Sequence, residues 1–207
     1  MASIPHTLPT LPRSALWMVL LAGLTSINMT HAADNPAQQS QEMLASEARG
    51  IVKDYANALQ KTLKTSIMTS GPASAIKTCN VHAPGISQQT AALTGWQVAR
   101  TSSKVRNPGH QPSVWETDVL QQFERQAAQG KPITAMEHYE IRNENGAKVF
   151  RYMKAIEVQG VCLNCHGPHV AGPVKSAIDD LYPSDKATGY REGDLRGAFS
   201  LSKQLEP

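Results

Sequence analysis

Residues 162–166 read Cys-Leu-Asn-Cys-His. Two thiols at this spacing can each add to one vinyl group of a haem. A histidine directly after the second is then held beneath the iron and supplies an axial nitrogen. The pattern predicts thioether attachment through Cys162 and Cys165, with His166 as an iron ligand. Three other chemistries use such a pair. A redox dithiol belongs in a βαβ context, which the flanking sequence lacks. A structural zinc needs four ligands; the one further cysteine, Cys79, is far upstream, and His169 follows His166 too closely to leave chain for wrapping a metal. A disulfide between Cys162 and Cys165 closes a small, strained ring.

The N-terminus agrees with the haem reading. Residues 1–14 hold Arg13 and no acidic residue, the apolar run 15–24 follows, and Thr30-His31-Ala32 places small residues at a cleavage site. This is the layout of a secretory leader over residues 1–32. The apolar run is shorter than the roughly 20 residues a spanning helix needs. No later segment is long and apolar enough to span, so the mature chain is expected to be periplasmic without a membrane span. Bacterial haem c is attached outside the cytoplasm, so export fits the pentapeptide.

The chain has 207 residues, 20 basic and 17 acidic. Loss of residues 1–32 removes one basic residue and no acidic one, leaving 175 residues with a net charge of +2. That length supports one domain with a real core. There is no basic run and no aromatic–basic interleaving, so a nucleic-acid partner is not expected.

The elements that must position the pentapeptide follow from pattern. Residues 33–42 are polar and read as a linker before a domain over 43–207. Leu44, Ala48, Ile51, Tyr55, Ala58, Leu59 and Leu63 recur at helical spacing, predicting a long helix over 43–68 closed by Gly71-Pro72. A short helix over 73–79 follows, with Pro72 at its first turn. Residues 96–101 alternate and predict a strand; 107–113 are loop chemistry. Ser113 and Glu116 form a capping box for a helix whose apolar face is Trp115, Val119, Leu120 and Phe123. Residues 135–141 and 148–156 alternate around the turn 143–146, predicting a hairpin directly before the pentapeptide. Beyond it the chain reads as Pro- and Gly-rich loops with a final strand over 196–202. Gly189, Gly193 and Gly197 are expected in turns before that strand, and Asp185 and Asp194 in turns or caps. The class is α+β: an antiparallel sheet flanked by helices.

Trp96–Pro108, Trp115-Glu116, Cys162–Gly167, Tyr182–Tyr190 and Gly193–Ala198 occur in one order that resembles a family of exported haem-c domains with a PAS-like fold, a domain of unknown function. The resemblance covers roughly residues 40–203. It implies one haem c per chain, bound near the C-terminus and ligated by the pentapeptide histidine and a cysteine thiolate. Cys79 is the residue at that cysteine's place. It also places Arg100, Lys104 and Arg106 in a family segment near Trp96, where they are candidates to pair with the haem propionates. This chain departs from the pattern at His110, where Asn is expected, and at Ser113, where Asp is expected. On residue chemistry alone, Met43, Met68, Met136, Met153, His82, His110, His138 and His169 are also able to fill the sixth position.

Together these readings predict a sensor or redox switch that answers redox state or a diatomic gas and passes its signal to a separate protein. A low-potential electron-transfer cytochrome c is the alternative. Nothing marks the open iron and distal acid–base pair of an enzyme. The long helix offers its apolar face to its own sheet or to a second copy, so a homo-oligomer is compatible.

Overall fold

The computed structural model describes residues 36–206. The leader and the first residues of the linker lie outside the described residues. A four-stranded, fully antiparallel sheet in the order β1-β4-β3-β2 forms the centre, from β1 (Gln97–Thr101), β2 (Glu137–Glu144), β3 (Ala147–Glu157) and β4 (Leu195–Gln204). Helix α1 (Pro36–Thr94) covers one face and α2 (Val114–Ala128) the other. The α+β class with a long N-terminal helix is therefore as expected.

Strand alternation divides the core into two layers. On β3, Phe150 and Tyr152 turn to α1, where they meet Ala48, Ile51, Val52 and Tyr55 together with Trp96 and Leu201. Met153 and Ala155 turn the other way, onto Val119, Leu120 and Phe123 of α2. Trp96 and Phe123 are fully buried. Polar bonds fix α1 against the sheet: Arg49 donates to Glu137 of β2 (2.6 Å), and Trp96 Nε1, just before β1, donates to Glu47 (2.8 Å); within α1, Arg49 also donates to Glu42 (2.7 Å).

The capping box is present, with Ser113 accepting from the Glu116 N–H and Glu116 accepting from the Ser113 N–H. The β2–β3 turn places Asn145 (φ 51°) and Gly146 (φ 84°) in the left-handed region, as a two-residue hairpin turn of this hand requires.

Several elements differ from expectation. The helix begins at Pro36, so residues 36–42 form its first turns rather than a linker, and Glu42 is used there by Arg49 and Tyr139. Gly71 does break the helix (φ 78°, ψ 167°), but the second half runs on to Thr94 through Pro84 and Gly85. The two halves fold back on one another. Ser66 Oγ donates to Thr78 Oγ1 at 2.9 Å, whereas twelve residues of straight helix span about 18 Å. A further helix, α4 (Gly172–Leu181), occupies a stretch that reads as loop. Gly197 lies inside β4, not before it. A Cβ there would stand 2.3 Å from the Thr101 carbonyl oxygen, so glycine is what lets β1 and β4 approach.

Candidate functional site

Both halves of α1, the ends of β1, β3 and β4, and the segment around residues 162–166 enclose a cavity of about 420 Å³. Its apolar lining includes Leu59, Leu63, Ile76 and Phe199. Cys79, His110, Cys162, Cys165, His166, Arg100, Arg106 and Arg196 also reach it.

A 3₁₀ turn (Gly160–Cys162) runs into the single-turn helix α3 (Leu163–His166). Positions i, i+3 and i+4 of such a turn share one face, so Cys162, Cys165 and His166 are presented to the cavity together. All three cysteines of the chain are free thiols. Gly167 closes the turn against the Leu163 carbonyl, which a Cβ would approach to 2.7 Å.

Segment 185–190 clamps this turn in place. Tyr190 N donates to the His166 carbonyl (2.9 Å) and Gly189 N to the Gly167 carbonyl (3.0 Å). His166 Nδ1 lies 2.6 Å from the Ala187 carbonyl oxygen. A carbonyl can only accept, so Nδ1 carries the proton and Nε2 keeps its lone pair for a metal. Burial, with Arg196 and Arg106 adding like charge, pushes the His166 pKa down to about 3. The imidazole is thus neutral at physiological pH, the form that ligates.

Arg106 and Asp185 hold the clamp itself. Arg106 Nε donates to Asp185 Oδ1 at 3.0 Å, and Nη2 donates to the Cys165 carbonyl at 2.6 Å. Asp185 Oδ1 also accepts the Ala187 N–H (3.0 Å). Burial acts to raise the Asp185 pKa, but the Arg106 and Ala187 hydrogen bonds prevail and hold it below the usual carboxylate range. Asp185 is therefore more than a turn residue. Asp194 accepts from the Arg191 N–H (2.7 Å), a turn contact as expected.

The candidate propionate partners separate. Arg100 and Arg106 line the cavity, whereas Lys104 does not; its ammonium lies 4.9 Å from the Tyr190 ring centroid. Arg106 is largely committed to Asp185. The Arg100 side chain makes no hydrogen bond or ion pair with a described residue, and its Nε is buried without a partner. Arg196, which sequence reasoning missed, lines the cavity and donates to Ser102 Oγ (2.8 Å) and the Lys104 carbonyl (3.2 Å). Burial, with Arg106 and Arg100 nearby, lowers its pKa. One arginine in a strand carries no spacing signal; its position beside Gly197, in a segment of the family resemblance, was the available clue.

The field of sixth-ligand candidates also narrows. Met43, Met68, His82 and His169 are exposed, Met136 and Met153 are packed in the core against α2, and His138 lies beside the Trp115 ring. None of these lines the cavity, whereas Cys79 and His110 do. Burial raises the Cys79 pKa, while Arg100 and Arg106 pull it down. Burial, Arg100 and Arg196 lower that of His110.

The sheet order and this cavity belong to a recognisable class. Residues 30–203 match the model of the Tll0287-like family, and the chain belongs to that family. Among solved structures it is similar to the crystal structure of the cyanobacterial heme-protein Tll0287, with 28% identity over 77% of this chain and 96% of that one, at a TM-score of 0.57. No curated protein matches the chain. Among the described residues no helix is long and apolar enough to cross a membrane.

Proposed function

We propose that this protein is an exported, periplasmic monohaem c-type protein that acts as a redox or diatomic-gas sensor. In this reading Cys162 and Cys165 carry the haem, and His166 and Cys79 are its axial ligands. The observation that carries it is the convergence of two thiols and a neutral, Nδ1-anchored imidazole on one cavity with Cys79 on its wall. The residues present fit the group. The lining is largely apolar, with an orphaned guanidinium nitrogen on Arg100 that calls for an anionic acceptor. Similarity to a protein described as a heme-protein supports the same conclusion.

Haem iron supplies one-electron chemistry and coordination positions that side chains or a gas can fill. The chain's own part is to hold His166 in the ligating tautomer through Ala187, to keep that carbonyl fixed through Asp185, and to set Arg100 and Arg106 where they favour a Cys79 thiolate. Burial alone leaves Cys79 protonated, so thiolate formation depends on those cations and on metal binding itself. A thiolate favours the ferric state and a low potential. The sensor reading draws on the presence of His110 and Cys79 at one cavity, which gives ligand exchange a second donor.

The test is an EPR and optical spectrum of the ferric protein beside Cys79→Ala and His110→Ala. The proposal expects one covalent haem per chain and a low-spin thiolate signature that only Cys79→Ala abolishes. Loss of a CO-resistant shell on reduction supports the sensor. Fast electron exchange with unchanged ligation supports the electron carrier instead. A chain exported without haem refutes the reading.

A further inference from the structure

We propose that the guanidinium groups of Arg100 and Arg196 form a receptor for two carboxylates, the propionates of the haem, and that Arg106 and Lys104 are not part of it. This rests on the haem reading above.

Arg100 stands two residues beyond Val98 on β1, and Val98 packs in the layer beneath α1. Strand alternation sends Arg100 to the same face, and there it borders the cavity rather than solvent. A guanidinium carries five N–H donors and no acceptor. Arg100 uses none of them on a described residue, and Nε is shut off from water. Leaving a buried charged donor unsatisfied is costly, so this arrangement implies an acceptor that is not part of the described chain.

Arg196 shares the end of the cavity. Its Nη1 is engaged by Ser102 and the Lys104 carbonyl, and its guanidinium lies 5.3 Å from the Tyr190 ring centroid. The Tyr190 hydroxyl also lies within hydrogen-bonding reach of the guanidinium, and no carboxylate of a described residue pairs with it. These contacts fix the plane of the group while leaving one edge for a carboxylate, the geometry arginine uses for paired hydrogen bonds. Burial of Arg196 among Arg100 and Arg106 costs free energy that two anions between them would offset. Among the described residues, Glu157 is the only acidic one on the lining. Arg106 already has its counter-charge in Asp185, and Lys104 lies outside the cavity over Tyr190.

The test uses the mature holoprotein and Arg100→Gln, Arg100→Lys, Arg196→Gln and Lys104→Gln. Covalent haem per chain is measured first, by pyridine haemochrome and haem-stained denaturing gel. Resonance Raman then reads the propionate bending band, and redox titration reads the potential. The expected result is a shifted band and a displaced potential in Arg100→Gln and Arg196→Gln, partial return of the band in Arg100→Lys, and a wild-type band in Lys104→Gln. Arg100→Gln is decisive because it removes no side-chain hydrogen bond to a described residue, so its circular dichroism should stay at the wild-type spectrum and a shifted band reports the lost carboxylate contact. A wild-type band in both glutamine variants, or the same shift in Lys104→Gln, overturns the receptor while leaving the haem reading standing. Absence of haem from the wild-type chain overturns both.

Discussion

The Arg106–Asp185 pair offers a direct measure of how firmly the His166 clamp is held. Its side chains are only 11% and 7% exposed. Asp185→Ala leaves a buried guanidinium without its counter-charge and frees the Ala187 N–H. Removing one partner of a buried pair costs about 3–5 kcal/mol. In a domain of 150–250 residues each kcal/mol moves the thermal midpoint by about 2–4 °C, so the expected loss is about 6–20 °C. Lys175–Asp179 on α4 is the internal control. It is the same kind of ion pair four residues apart, with side chains 54% and 55% exposed. Asp179→Ala should cost about 0.3–0.5 kcal/mol, a shift of at most about 2 °C. The assay is thermal unfolding of the holoprotein followed by circular dichroism, with the EPR of each variant recorded at low temperature. If His166 ligates the iron as proposed, Asp185→Ala should also broaden or shift the EPR signal; Asp179→Ala should not. Equal midpoints and equal spectra for the two variants would refute both the burial argument and the clamp.

Acid should destabilise the fold through Glu137, whose pKa is lowered chiefly by the Arg49 hydrogen bonds. A depressed carboxylate contributes stability above its unfolded value, about 4.3, and that contribution is lost as pH falls through the folded value. Midpoints measured between pH 6 and pH 3 should therefore fall at the acid end, less steeply in Glu137→Gln; an identical slope would show the pair to be inert. Two glycines should respond in opposite directions in urea titrations. Gly197→Ala forces a Cβ against the Thr101 carbonyl oxygen and should cost at least about 1–3 kcal/mol. Gly85→Ala, in α1 with nothing within 4 Å of the added atom, should gain about 0.5–1 kcal/mol.

Local chemistry was legible where a few neighbouring residues decide the outcome. The Ser113–Glu116 cap, the Asn145-Gly146 turn and the period-two hairpin are of this kind, as is the i, i+3, i+4 presentation of Cys162, Cys165 and His166. Signals that tertiary contact overrides were read wrongly. The short helix expected over 73–79 runs on to Thr94 even though proline costs a helix interior about 3 kcal/mol; Ile86 packs on the core and Ser87 Oγ donates to the Val98 carbonyl, which keep that half helical past Pro84. Helix α4 was hidden by Gly172-Pro173, although proline is at home in a first turn and Val174, Ala177 and Ile178 lie at helical spacing. Arginine roles were the least legible. Arg100, Lys104 and Arg106 are near neighbours in sequence but meet a cavity, an aromatic ring and a carboxylate, respectively. Only the fold reveals which partner each receives.

The sheet order has a temporal consequence. β4 is the last strand in the chain, yet it lies between β1 and β3. Every backbone pair of β1 waits for residues 198–202, and such distant pairing is slow to form. A chain emerging N-terminus first therefore exposes Cys162 and Cys165 while Arg196, Gly197 and Phe199, which complete one wall of their cavity, have yet to arrive. In the finished fold one of these thiols is half-buried and the other buried. Their window of free chemical access is thus the interval before the sheet closes.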